Sequence, residues 1–99
     1  MTGMIFDWDD ANRRHIARHN ILPEEFEEVM MNGPLDVHVQ YDDDDGMRFG
    51  QVGETDAGRI LIVISTWRNE RVRPITAWDA PRADKMLYLQ HQADNEWLP

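Results

Sequence analysis

At Gly33-Pro34 the spacing of apolar residues changes from helical to extended, and this switch constrains the architecture more than any other feature of the chain. Ahead of it, Leu22, Phe26, Val29 and Met30 recur at helical spacing. Pro23 there suits a first helical turn, and Glu24 and Glu25 favour its positive dipole end. Behind it, Val37, Val39 and Tyr41 alternate with His38 and Gln40, a turn through Asp42–Gly46 follows, and a strand from Met47 to about Gly53 completes a hairpin. Residues 59–67 then form an apolar, β-branched run without alternation, as expected of a central strand covered on both faces. Arg71–Trp78 reads as the last strand. Pro74 lacks the N–H that a central ladder needs, so this strand is expected at an edge or a bulge.

Two further helices and one strand frame this core. Met4–Trp8 reads as a short strand, Asp9 or Asp10 caps a helix running to about His19, and Asn20 tolerates the left-handed backbone at its end. Asp79 and Pro81 open a final helix with Ala83, Met86, Leu87 and either Leu89 or Gln90 along one side. The expected order is β-α-α-β-β-β-β-α. Such segregation predicts an α+β domain: an antiparallel β-sheet with helices packed on one face and the other face open.

Ninety-nine residues with 41% apolar content supply one core, so a single domain over residues 1–91 is expected, followed by a loose tail over 92–99 where periodicity fades. The absence of cysteine rules out disulfides, thiolate metal sites and a Cys nucleophile. With no basic leader and no long uncharged apolar run, a cytoplasmic protein without membrane contact is expected.

The net charge of −9 argues at first against nucleic acid, since phosphate binding draws on Lys and Arg. The charge is unevenly placed. Residues 1–46 hold three basic side chains against twelve acidic ones, whereas residues 47–99 hold seven of each. Nine of the ten basic residues are Arg, whose planar guanidinium grips a phosphate with two hydrogen bonds. Arg48, Arg59, Arg71 and Arg73 all fall on, or at the ends of, the expected strands. An open sheet face carrying them would suit a phosphodiester backbone; pairing with the abundant carboxylates is the plainer alternative. The Asp42–Gly46 run lacks the ligand spacing of a calcium loop and reads as a hairpin tip. His15 and His19 share a helix face as a zinc pair would, but no third ligand accompanies them, so no metal or other cofactor is expected.

Several segments resemble a known family. Phe6-Asp7-Trp8-Asp9, the helix end Arg18-His19-Asn20 and the acidic Pro23–Val29 helix resemble the opening of the BrnT toxins. Arg48–Gly53, Gly58–Val63, and Arg71–Ala77 through Tyr88 are similar to the family's later strands and final helix, so the resemblance covers about residues 5–88. It implies a RelE-like fold and a bacterial or archaeal ribonuclease toxin, neutralised by a cognate BrnA-like antitoxin encoded beside it. The implied chemistry is metal-independent: the 2′-OH attacks the adjacent phosphorus and arginines stabilise the phosphorane. Carried over by position, Arg48, Arg59 and Arg73 would face phosphate, and Tyr88 completes the catalytic candidates. Arg71, Trp78, Arg82 and His19 are the RNA-binding candidates, with His19 and Tyr88 as supporting or proton-handling groups.

This chain departs from the family pattern at identifiable places. Trp78 stands where the motif has Arg, Asp84 where it has Glu, Asn20 where it has Gly, and Pro74 enters the last strand. Trp78 can stack a base but cannot neutralise a phosphorane. The alternative reading is therefore a catalytically degenerate module that binds an antitoxin-like partner without cleaving RNA.

Overall fold

Asp9 sets the first helix in place. Its carboxylate accepts from the Asn12 N–H at 2.9 Å, while its own N–H donates to Asn12 Oδ1 at 2.8 Å, a reciprocal cap that opens α1 (Asp10–Ala17). A computed structural model describes residues 3–42 and 46–96 of the chain. After α1, Asn20 takes the left-handed conformation expected of it, with φ of 59°, and Pro23 and Glu24 open α2 (Pro23–Met31). Gly33, with φ of 70°, makes the turn into the sheet.

The sheet contains β1 (Leu35–Asp42), β2 (Gly46–Glu54), β3 (Ile60–Arg68) and β4 (Arg71–Asp79), paired antiparallel in the order β1-β2-β3-β4. The expected hairpin tip falls on Asp43–Asp45, outside the described residues. β3 is central, and β4 lies at the end of the four-strand order. The β3–β4 ladder shifts register at Ile75, between Thr76 opposite Ile64 and Pro74 opposite Ser65, so Pro74 sits at both an edge and a bulge.

The strand expected over Met4–Trp8 is reduced to one parallel bridge between Phe6 and Val72. Val72 donates to the Ile5 carbonyl and accepts from the Asp7 N–H, both at 2.8 Å. The next rung would require an N–H from Pro74, which has none. The Asn12 amide fills this gap: its Nδ2 donates to the Asp7 carbonyl at 2.9 Å and the Pro74 carbonyl at 3.2 Å. The broken ladder and the helix cap thus share one buried side chain.

Side-chain alternation along β3 divides the core. Leu61 and Val63 face α1 and α2, where they meet Ile16, Ile21, Phe26 and Val29. Phe6 and Trp8 close this side edge-on against Phe26, and the Trp8 indole N–H donates to Glu27 at 2.7 Å. Ile62 faces the opposite side, where Val52, Ala80 and Tyr88 cover it. The expected α+β class and antiparallel sheet hold, but the second sheet face is not fully open. α3 (Arg82–Glu96) lays Tyr88 over one end of it, because the unalternating β3 has apolar residues to bury on both sides. α3 also continues past Gln92, where the apolar period ends, with polar pairs four residues apart: Gln90 to Asp94 and His91 to Asn95, each at 3.0 Å.

Gly53 on β2 lies directly against α2 and the turn that follows it. A Cβ there would stand 2.8 Å from Val29 Cγ1 and 3.0 Å from Pro34 Cβ. Gly53→Ala is expected to cost about 1–3 kcal/mol, the usual range for overpacking, and to lower the midpoint of thermal unfolding. An unchanged midpoint would mean that α2 is not seated this tightly.

Candidate nucleic-acid interface

Cross-strand register places two arginines on one row of the sheet. Arg48 on β2 pairs with Thr66 on β3, which pairs with Arg73 on β4. Directly opposed residues share a face, and two strand spacings put the Cα atoms of Arg48 and Arg73 about 10 Å apart. Around them a cleft of about 230 Å³ is lined by Arg48, Arg68, Arg73 and His15, with Asn12 and Pro74 beside them. Three guanidinium groups and an imidazole thus converge, and guanidinium groups only donate hydrogen bonds, so the cleft suits an anion.

Arg73 is held firmly. Its Nη2 donates to Asp9 Oδ2 at 2.8 Å, and its Nη1 lies 3.7 Å from Asp7 Oδ2. Asp9 therefore serves two elements, capping α1 with one oxygen and anchoring Arg73 with the other. The Asn12 N–H and then Arg73 hold the Asp9 carboxyl below the usual carboxylate range. The row next to the arginines carries Ile64 and Thr76, and the row beyond it Val52, Ile62 and Trp78. There a second cleft, of about 480 Å³, is lined by Val37, Ile62, Ile64, Thr76, Trp78 and Asp84, and Arg48 lines this one too. The two clefts are therefore contiguous through Arg48, grading from basic to apolar.

The other end of the sheet has a different character. Arg59, just before β3, donates from Nε to Asp79 Oδ1 at 2.8 Å and from Nη2 to Asp79 Oδ2 at 3.1 Å. Its Nη1 reaches the Asn20 carbonyl at 2.7 Å and both Glu25 oxygens at 3.3 Å, and its Nη2 the His19 carbonyl at 3.3 Å. The guanidinium thus binds the α1–α2 connection and α2 to the end of β4. Its hydrogen bonds to Asp79 hold that carboxyl below its ordinary value. Tyr88 is 2% exposed and donates to Glu54 Oε1 at 3.3 Å. Burial, then the Glu54 charge, pushes its phenol up. Glu54 pairs with Ile60 and Arg48 with Thr66, and the six-residue step from Ile60 to Thr66 along β3 spans about 20 Å.

Of the catalytic candidates, Arg48 and Arg73 are brought together, whereas Arg59 and Tyr88 lie at the far end. Among the RNA-binding candidates, Trp78 lines the larger cleft, and Arg71 opens β4 opposite Arg68 beside the basic one. His19 is exposed beside Arg59, and Arg82 is exposed at the start of α3. Sequence reasoning missed His15 and Arg68 as site residues. The Asp9 cap carried the usable signal for His15: it turns Asn12 and His15, three apart on one helix face, toward β4. Among the described residues, no three His, Asp or Glu side chains are grouped as a metal site requires, and no helix is long and apolar enough to cross a membrane.

A family model described as the ribonuclease toxin BrnT of type II toxin–antitoxin systems matches residues 8–84. The chain belongs to the BrnT family. No curated protein matches it. Membership in this family indicates a type II toxin ribonuclease, and with it an RNA substrate and an antitoxin partner. The BrnT match contains every residue lining the two contiguous clefts and ends before Tyr88.

The two depressed carboxyls make an acid limit. Asp9 and Asp79 have native values below their unfolded ones, so the unfolded chain binds more protons between the two. Their stabilisation is complete above the ordinary carboxylate range and is lost as pH falls through the native values. Melting midpoints measured from pH 6 down to pH 3 are expected to fall most steeply below about pH 4. Asp79→Asn should flatten that fall; an unaltered profile would show that the Arg59 pair does not supply it.

Proposed function

We propose that the protein is a RelE-like, metal-independent endoribonuclease of the cytoplasm, cutting single-stranded RNA in the cleft of His15, Arg48, Arg68 and Arg73 and neutralised by a cognate, BrnA-like antitoxin. The observation that carries this reading is the Arg48–Thr66–Arg73 row, which aligns two guanidinium groups beside a third and an imidazole. Part of the acidic charge lies away from this cleft, since Glu24, Glu27 and Glu28 sit on α2 against the opposite sheet face. Asp7 and Asp9 beside it are paired with Arg73.

The chemistry follows from the groups present. A base takes the proton of the ribose 2′-OH, O2′ bonds to the adjacent phosphorus, and the P–O5′ bond breaks. The departing O5′ takes up a proton, leaving a 2′,3′-cyclic phosphate and a 5′-hydroxyl. Arginine donors placed before the reaction stabilise the charge of the phosphorane. His15 is the proton-handling group of this reading, since its imidazole lines the cleft beside the three arginines and can both accept and donate a proton. Arg71 and Trp78 extend the contact along the strand, the first to phosphate and the second to a base.

The test is cleavage of single-stranded RNA by the purified protein in excess EDTA, with mapping of the product ends. Cyclic phosphate and 5′-hydroxyl ends are expected, and His15→Ala should slow the reaction about a hundredfold or more. Cleavage only after a divalent ion is added would contradict the reading. So would an intact RNA pool, which would favour the degenerate module. Co-expression of the neighbouring antitoxin gene should restore growth to cells producing the protein.

A further inference from the structure

The larger cleft contains one group that the reaction above does not use. Asp84, in the first turn of α3, is half-buried, and its carboxylate makes no hydrogen bond or ion pair with any described residue. It shares the cleft with the Trp78 ring and a floor of Ile62 and Ile64, and Arg48 links the cleft to the basic one. We propose that this cleft is a nucleobase subsite selective for guanine, in which Trp78 stacks on the ring and Asp84 accepts from guanine N1–H and N2–H. The proposal rests on the ribonuclease reading and adds to it the base recognised next to the cut.

The choice of base follows from hydrogen-bonding capacity. An ionised carboxylate has two acceptor oxygens and no donor. Guanine alone among the four RNA bases presents two adjacent donors on its Watson–Crick edge. Adenine and cytosine each set one donor beside a ring acceptor, and uracil flanks its single donor with two acceptors. Those bases would bring a lone pair against the carboxylate, and a site built for paired donors rejects them for that reason. Stacking on Trp78 holds any base and supplies no choice among them. A base seated there puts its own phosphate toward Arg48, which joins recognition to cleavage.

The test is calorimetric binding of the full chain to uridine hexamers carrying a single G, A or C, made with 2′-O-methyl ribose so that no nucleophile is present. The G hexamer is expected to bind about tenfold or more tightly than the A and C hexamers, within the usual value of a bidentate base contact. Asp84→Asn replaces one acceptor by a donor and should shift the preference toward A. Equal affinities for the three hexamers in the wild-type chain would overturn the proposal. So would a preference that Asp84→Asn leaves unchanged, or a Trp78 environment altered by the antitoxin and by no oligonucleotide. Failure of the ribonuclease reading has a separate signature: the corresponding ribose hexamer stays uncut although the G preference is present.

Discussion

Arg48→Ala is expected to lower the RNA cleavage rate about 10²–10³-fold, the range seen when one preorganised donor to a developing oxyanion is removed. Arg48 stands on the row of Arg73 and lines both clefts, so its loss touches phosphate contact and the link to the base subsite together. Arg48→Lys should recover only a small part, because an ammonium is a point charge and cannot present paired donors in one plane. Single-turnover cleavage of a fixed RNA measures the effect, with circular dichroism confirming the fold. A properly folded Arg48→Ala variant that cuts at the wild-type rate would remove this residue from the site.

Arg59→Ala should have the opposite signature. Its guanidinium serves Asp79, Glu25 and the carbonyls of Asn20 and His19, and its side chain is 28% exposed. Loss of such a hub costs about 2 kcal/mol, since charged hydrogen bonds count for more than neutral ones but partial exposure screens them. For a domain of this size that corresponds to roughly 10 °C in the melting midpoint. Well below that midpoint, cleavage should stay within about threefold of wild type. A variant that keeps its midpoint and loses cleavage would return Arg59 to the catalytic set.

This contrast shows what was legible in the sequence. The Asp9 cap, the left-handed Asn20, the central β3 and the edge position of Pro74 all follow from local chemistry, and each is found. The cap expected of Asp79 is not, because α3 begins at Arg82 and both Asp79 oxygens accept from Arg59. The strand at Met4–Trp8 had the right composition but depended on a partner N–H that Pro74 cannot give, a relation across more than sixty residues of chain. Arginines on strands could be counted from the sequence, but register decided which shared a row. Arg48 and Arg73 meet because a one-residue bulge at Ile75 brings Thr66 opposite Arg73. The same register separates them from Arg59. His15 was visible as a helix residue, and only the docking of α1 on β4 through Asn12 and Asp9 gave it neighbours.

The central claim is that RNA is held at the Arg48–Arg73 end of the sheet and over Trp78, leaving the Arg59–Tyr88 end to hold the fold together. Amide and side-chain NMR shifts, followed while a non-cleavable 2′-O-methyl RNA is added, test this most directly. The account predicts perturbation of His15, Arg48, Arg68, Arg73 and the Trp78 indole, with His19, Arg59 and Tyr88 unmoved. Shifts concentrated at His19, Arg59 and Tyr88, with the Arg48 row silent, would contradict it.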